Sequence, residues 1–152
     1  MPDAAAPVAV LGAGSWGTAL ALLLAETLGV LRLPDLAPLF GPGSRPEQPV
    51  CGLVGGRMVA GQVDRLAVTA DAVLIADYKT TRRPPTSLAG IPVAYLRQTA
   101  AYLSLLRDVY PGREVRAALV WTQGPRVTFL PPDLLDAQLR ALHAAGADQP
   151  PA

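Results

Sequence analysis

The chain is poor in the residues that most often announce a function. Its 152 residues include one cysteine, Cys51, one histidine, His143, and one lysine, Lys79. A single cysteine closes no internal disulfide and builds no zinc or iron–sulfur site. The chain therefore suits a reducing, cytoplasmic compartment, and Cys51 reads as a small buried apolar side chain. Charge is scarce too. Only 16% of residues are Asp, Glu, Lys or Arg, and the net charge is +1. That excludes capture of nucleic acid by overall charge, so any such contact is local or helped by a partner. No apolar run approaches the roughly 20 residues that span a membrane; the run from Ala19 to Leu24 falls far short. Residues Met1 to Pro7 carry no basic stretch of the kind that opens a secretory signal.

What is present suits one domain with a real core, since 51% of residues are hydrophobic. The apolar run Pro7 to Leu11 precedes Gly12-Ala-Gly-Ser-Trp-Gly17, then an Ala/Leu-rich helix to about Leu33 that Pro34 ends. Breakers make 40–46 a loop. Strands follow at Glu47–Val54 and Arg57–Val68, joined by Gly55-Gly56, and at Val73–Lys79 after a turn at Thr69–Ala72. A polar loop, 80–90, leads to a helix opened by Pro92 and stopped by Tyr110-Pro111-Gly112. Val115–Trp121 and Arg126–Leu130 are the last strands, and Pro131 to about His143 the last helix. This order predicts an α/β (α+β) fold: a mixed central sheet flanked by helices.

Chemistry concentrates on the hairpin from Arg57 to Lys79. A four-residue turn pairs Val68 with Val73 and Leu66 with Ile75. Continued, it sets Asp64 opposite Asp77 and Gln62 opposite Lys79, all on one face. Two facing carboxylates destabilise a sheet, and burial pushes one toward protonation. A divalent cation between them removes that cost, and oxygen ligands suit Mg²⁺ or Mn²⁺. Lys79, on the same face, is placed to orient water or to meet charge growing on a phosphate. These are the parts for metal-assisted phosphodiester hydrolysis. The plainer reading is a solvated strand end with an ordinary Asp and Lys.

Three segments resemble the nuclease domain of AddA and RecB-like helicase–nucleases, of the PD-(D/E)xK type. They are Val59-Ala-Gly-Gln-Val-Asp-Arg-Leu66, Val73-Leu-Ile-Ala-Asp-Tyr-Lys-Thr80 and Tyr95-Leu-Arg-Gln-Thr-Ala-Ala-Tyr102. Pro38 to Arg45 and Arg116 to Thr122 resemble the AddA branch, and the likeness runs from about Ala25 to Leu139. It implies a restriction-endonuclease-like fold over 25–145; 1–24 reads as a separate Rossmann-like remnant, strand–GxGxxG–helix, and 146–152 as a disordered tail. It implies that Asp64, Asp77 and the main-chain carbonyl of Tyr78 bind the metal, that Lys79 is catalytic, and that Gln98 and Tyr102 form the family's Q-x-x-x-Y pair. Gln98 and Tyr102 stand at i and i+4 on one helix and so share a face. DNA is the implied substrate, cut by an exonuclease-type activity. An AddB-like subunit and a helicase motor are the implied partners. Glu47 matches an acidic position upstream of the motif, with a surface glutamate the plainer reading. Arg82 and Arg83 follow the catalytic strand and could meet phosphates.

Two departures stand out. There is no G-x-x-x-x-G-K-[ST] loop for a nucleotide triphosphate. The family's earlier helix with a metal-binding histidine has no counterpart, because His143 lies near the C-terminus and reads as an exposed helix-end residue. In that helix's place stands Val8-Ala-Val-Leu-Gly-Ala-Gly-Ser-Trp-Gly-Thr-Ala-Leu20, which resembles the start of NAD-dependent glycerol-3-phosphate dehydrogenase. Gly12, Gly14 and Gly17 would set a helix N-terminus against a pyrophosphate. A Rossmann unit also needs a second strand and an acid ~20 residues on; only Asp35 answers, and by spacing alone. Two other functions therefore stay open: an inactive remnant with a docking role, and a dinucleotide-binding fragment.

Overall fold

The computed structural model describes residues 34–123 and 126–147. The Gly12–Gly17 turn and its helix, the proposed 1–24 segment and the end of the tail lie outside these residues. A turn at Pro34–Leu36 leads into a one-turn helix, α1 (Ala37–Phe40). Sequence reading ended its helix at Pro34 and gave this segment no structure. Leu36 and Leu39 nevertheless point inward and are fully buried.

Strand β1 (Ser44–Val54) begins three residues earlier than the breakers in 40–46 suggested. Among the described residues β1 is an edge strand, and an edge accepts Pro46, which donates no ladder bond. Gly55 and Gly56 take φ of 58° and 77°. Both values are left-handed, as the tight turn into β2 (Arg57–Val68) requires. Thr69 then closes the turn into β3 (Ala72–Lys79): its N–H and hydroxyl donate to Ala72 O at 2.8 and 3.0 Å. A long crossover carries α2 (Val93–Val109) and returns the chain as β4 (Glu114–Trp121), parallel to β3. β5 (Arg126–Leu130) and α3 (Pro132–Ala147) complete the order.

The sheet runs β1-β2-β3-β4-β5, with β3/β4 its parallel pair and the other neighbours antiparallel. β3 and β4 are near-continuous apolar runs because both their faces are covered. β1 alternates because one face is wet. On one face, Val63, Leu66, Ile75, Leu119 and Trp121 pack against Leu96, Leu103, Leu106 and Leu135 of α2 and α3. On the other, Ala67, Leu74, Ala76, Ala118 and Val120 meet Leu36 and Leu39. This is the expected mixed sheet flanked by helices. Arg107 and Asp136 join α2 to α3 at 2.7 Å, but both are over a third exposed, so the pair adds at most about 1 kcal/mol.

Cys51 corrects an expectation. It is exposed, because it lies on the wet face of β1 between the inward positions Val50 and Gly52. His143 is exposed as expected, and α3 continues past it to Ala147. No helix among the described residues is long and apolar enough to cross a membrane.

Leu119 is fully buried at the centre of the main core. Leu119→Ala is expected to lower stability by about 2–5 kcal/mol. Urea denaturation measures this; an unchanged midpoint would contradict the assignment of the core.

Candidate active site at the parting of two strands

The β2–β3 ladder runs Val68↔Val73, Ala67↔Leu74, Leu66↔Ile75 and Arg65↔Ala76, the register the turn predicts, and it stops there. β3 remains paired with β4 as far as Lys79↔Trp121. The strands part where the chemistry begins, so Asp64 and Asp77 are not ladder partners. Gln62 is not opposite Lys79; it is exposed and pairs with Pro49 of β1.

The parting has a local cause. Val63 and Leu66 both face the main core, although three positions apart, so the alternation of β2 slips at Asp64–Arg65. Arg65 turns to the opposite face, where its guanidinium sits 5.6 Å from the centre of the Phe40 ring. The neighbouring strand changes at the same level. The β1–β2 pairing passes from Pro46↔Arg65 to Gln48↔Val63 without Glu47 and Asp64, and Glu47 has φ of 49°. Glu47 itself is exposed.

The Asp64 carboxylate fills the gap. Its Oδ2 accepts the Tyr78 N–H at 2.7 Å, in place of the bond a continued ladder would supply. Asp77 and Lys79 share a face of β3 and form an ion pair through Asp77 Oδ2 and Lys79 Nζ. Their side chains are only 14% and 11% exposed. Asp77 Oδ2 is buried and accepts no hydrogen bond of ordinary geometry; the ammonium is what meets it. Burial pushes the Asp77 carboxyl above its ordinary value, the Lys79 ammonium draws it back, and the Asp64 carboxylate adds to the rise.

Helix α2 supplies the other wall. Gln98 Oε1 accepts from Lys79 Nζ at 3.1 Å, and Gln98 Nε2 donates to Tyr102 Oη at 3.2 Å. Tyr95, one turn earlier on the same face, presents its ring to Lys79 Nζ at 4.3 Å from the ring centre. Sequence reading misses Tyr95, although its i, i+3, i+7 spacing with Gln98 and Tyr102 is the signal that puts it on their face. Tyr102 fits because residue 61 is glycine: a Cβ there would lie 2.1 Å from the tyrosine hydroxyl and 2.7 Å from Cζ.

The structure thus gathers Asp64, Asp77, Tyr78, Lys79, Gln98 and Tyr102. Arg82 and Arg83 are exposed on the loop after β3. Gly12, Gly14 and Gly17 lie outside the described residues. Among the described residues no group of three or more His, Cys, Asp or Glu gathers for a metal. The oxygen donors brought together are the carboxylates of Asp64, held by the Tyr78 N–H, and of Asp77, paired with Lys79. These hard oxygen ligands fit Mg²⁺ or Mn²⁺ better than a softer metal.

Two outcomes follow. Gly61→Ala forces the buried Tyr102 ring to move and is expected to lower stability by about 1–3 kcal/mol; an unshifted urea midpoint would show that the fit is loose. The second concerns pH. An acid with a raised folded pKa binds its proton more tightly when folded, so its stabilising contribution is full below its ordinary 3.8 and is lost as pH rises through the raised value. In chelator, the parent should therefore lose stability over that interval relative to Asp77→Asn. Parallel curves of Tm against pH for the two proteins would count against a strained Asp77.

Comparison with known proteins gives the fold its family. The family model described as the PD-(D/E)XK nuclease superfamily matches residues 10–149. No curated protein gives a match. Among solved structures, a candidate exonuclease from Eubacterium rectale aligns with a TM-score of 0.54 at 15% identity. The alignment covers 80% of this chain and 48% of that one, so the chain spans about half its length. SSO0001 aligns with a TM-score of 0.41 at 18% identity, over 91% of this chain and 63% of its own. VC1899 from Vibrio cholerae aligns at 0.36 and 18%, over 89% of this chain and 37% of its own. These last two scores are too low to bear on the fold. The family match covers nearly the whole chain, which belongs to the PD-(D/E)XK nuclease superfamily.

Proposed function

We propose that this chain is the metal-dependent DNA nuclease domain of an AddA-like double-strand-break repair helicase–nuclease. It would act in the cytoplasm as an exonuclease-type deoxyribonuclease, beside a helicase motor and an AddB-like subunit carried elsewhere. The observation that supports this best is the meeting of Asp64, Asp77 and Lys79 where β2 and β3 part. Two carboxylates and one ammonium leave the pocket one negative charge in excess, which favours a cation.

Asp64, Asp77 and the Tyr78 carbonyl would hold Mg²⁺ or Mn²⁺, with water and a phosphate oxygen free to complete the shell. When bound, such an ion lowers the pKa of water and offsets charge on the phosphate. In the reaction, the water oxygen forms a bond to phosphorus and one P–O ester bond breaks, leaving a phosphate monoester and a free hydroxyl. Lys79 orients that water or meets the charge growing on the phosphate. Gln98 holds the ammonium in place, and Tyr102 holds Gln98. Arg82 and Arg83, exposed on the loop after β3, would contact flanking phosphates.

The test is Mg²⁺- or Mn²⁺-dependent degradation of labelled single- and double-stranded DNA. Lys79→Ala is expected to slow cleavage at least ~100-fold. Asp77→Ala should do likewise and should weaken binding of Mn²⁺ alone, read by calorimetry. Equal Mn²⁺ affinity in parent and Asp77→Ala would sink the metal assignment. A folded but inactive parent would favour a remnant that retains only a docking surface.

A further inference from the structure

We infer that Tyr95, seated on Trp121, is a positioning residue: its ring face holds the Lys79 ammonium in the site when Asp77 is engaged elsewhere. The inference rests on the nuclease reading for its catalytic half.

A lysine has four methylenes and a mobile head. In the structure three groups meet the Lys79 ammonium: the Asp77 carboxylate, Gln98 Oε1 at 3.1 Å and the Tyr95 ring at 4.3 Å from its centre. The strongest of these is Asp77. Yet Asp77 is also a largely buried acid beside Asp64 and a natural ligand for a cation. Once its charge is shared with a divalent ion, the ammonium loses its main partner and is repelled by its replacement. What remains is one hydrogen bond, donated to the amide oxygen of the exposed Gln98, and the aromatic face. A ring face attracts an ammonium without competing for the metal and without offering a proton acceptor.

Tyr95 is well supported for this task. Its ring meets Trp121 at 6.4 Å between centres and 48° between planes. Trp121 is fully buried, and its indole N–H donates to Thr128 Oγ1 at 3.0 Å. Trp121 is also the β4 register partner of Lys79. Both ends of the lysine are thereby referred to one buried residue, Trp121: its main chain through the parallel ladder and its head through Tyr95 on the indole.

The chain's single lysine makes this directly measurable. In the full chain carrying ¹³C- and ¹⁵N-labelled lysine, one Hε–Cε signal reports residue 79. Without metal, ring current should move that signal upfield of an unstructured lysine. Tyr95→Phe, which keeps the ring, should retain the shift, and Tyr95→Leu should abolish it. In cleavage assays, Tyr95→Leu is expected to lower kcat about tenfold with little change in KM, and Tyr95→Phe should restore it to within about twofold. An unshifted parental signal overturns the contact. A shift lost in Tyr95→Leu with unchanged kcat, while Lys79→Ala abolishes cleavage, overturns the positioning role and leaves the nuclease reading intact. A kcat as low in Tyr95→Phe as in Tyr95→Leu assigns the effect to the hydroxyl and overturns the role of the ring. Cleavage that persists in Lys79→Ala overturns the nuclease reading itself, while the lysine signal still decides the contact.

Discussion

Strand β3 is gripped on one side and released on the other. Its parallel ladder with β4 continues to Lys79, while its antiparallel ladder with β2 ends at Ala76. Everything at the site depends on this asymmetry. If β2 stayed paired, Asp64 and Asp77 would face each other as ladder partners and Tyr78 would have no N–H to offer a carboxylate. If β4 also let go, Asp77 and Lys79 would have no rigid base. The slip in β2 at Asp64–Arg65 costs a ladder bond, and the Asp64 carboxylate returns one by accepting from Tyr78. A residue of the candidate site thus stabilises the irregularity that creates it, as strained features near functional sites often require.

The helix wall is built with equal economy. Tyr95, Gln98 and Tyr102 occupy one stripe of α2 and form a sequence of contacts with Lys79. The stripe approaches the sheet closely because β2 carries glycine at 61 and β1 carries glycine at 52, where a Cβ would lie 2.7 Å from Leu105. These glycines mark close approach rather than turns.

Electrostatics and packing pull against each other around Asp77. Burial next to Asp64 disfavours its charge, and Lys79 offsets part of that penalty. A core-facing apolar residue would stabilise the strand better. The retained pair therefore reads as chemistry rather than as a stabilising ion pair, in line with membership of a nuclease superfamily.

Much of this was legible in the sequence. Near-continuous apolar runs marked β3 and β4, Gly55-Gly56 and Thr69 marked the turns, and Pro92 and Tyr110-Pro111-Gly112 bounded α2. The four-residue turn set the β2–β3 register up to Arg65↔Ala76, because a short hairpin leaves no freedom to slip. It did not reveal where that pairing ends. The parting arises from packing on both faces at once, with Val63 and Leu66 drawn to one core and Arg65 to Phe40 on the other. Periodicity assumes regular alternation and cannot register such a slip. The exposed Cys51 and the buried Leu36 and Leu39 escaped for a related reason: residue type states a preference, while burial depends on what covers the surface. The sequence by itself determined the strands, the order of elements and the motif carrying Asp64, Asp77, Lys79, Gln98 and Tyr102. Only the tertiary structure decided that Asp64 bonds to Tyr78, that Gln98 rather than Gln62 meets Lys79, and that Tyr95 lies against it, because those contacts join elements whose mutual distance no local pattern encodes.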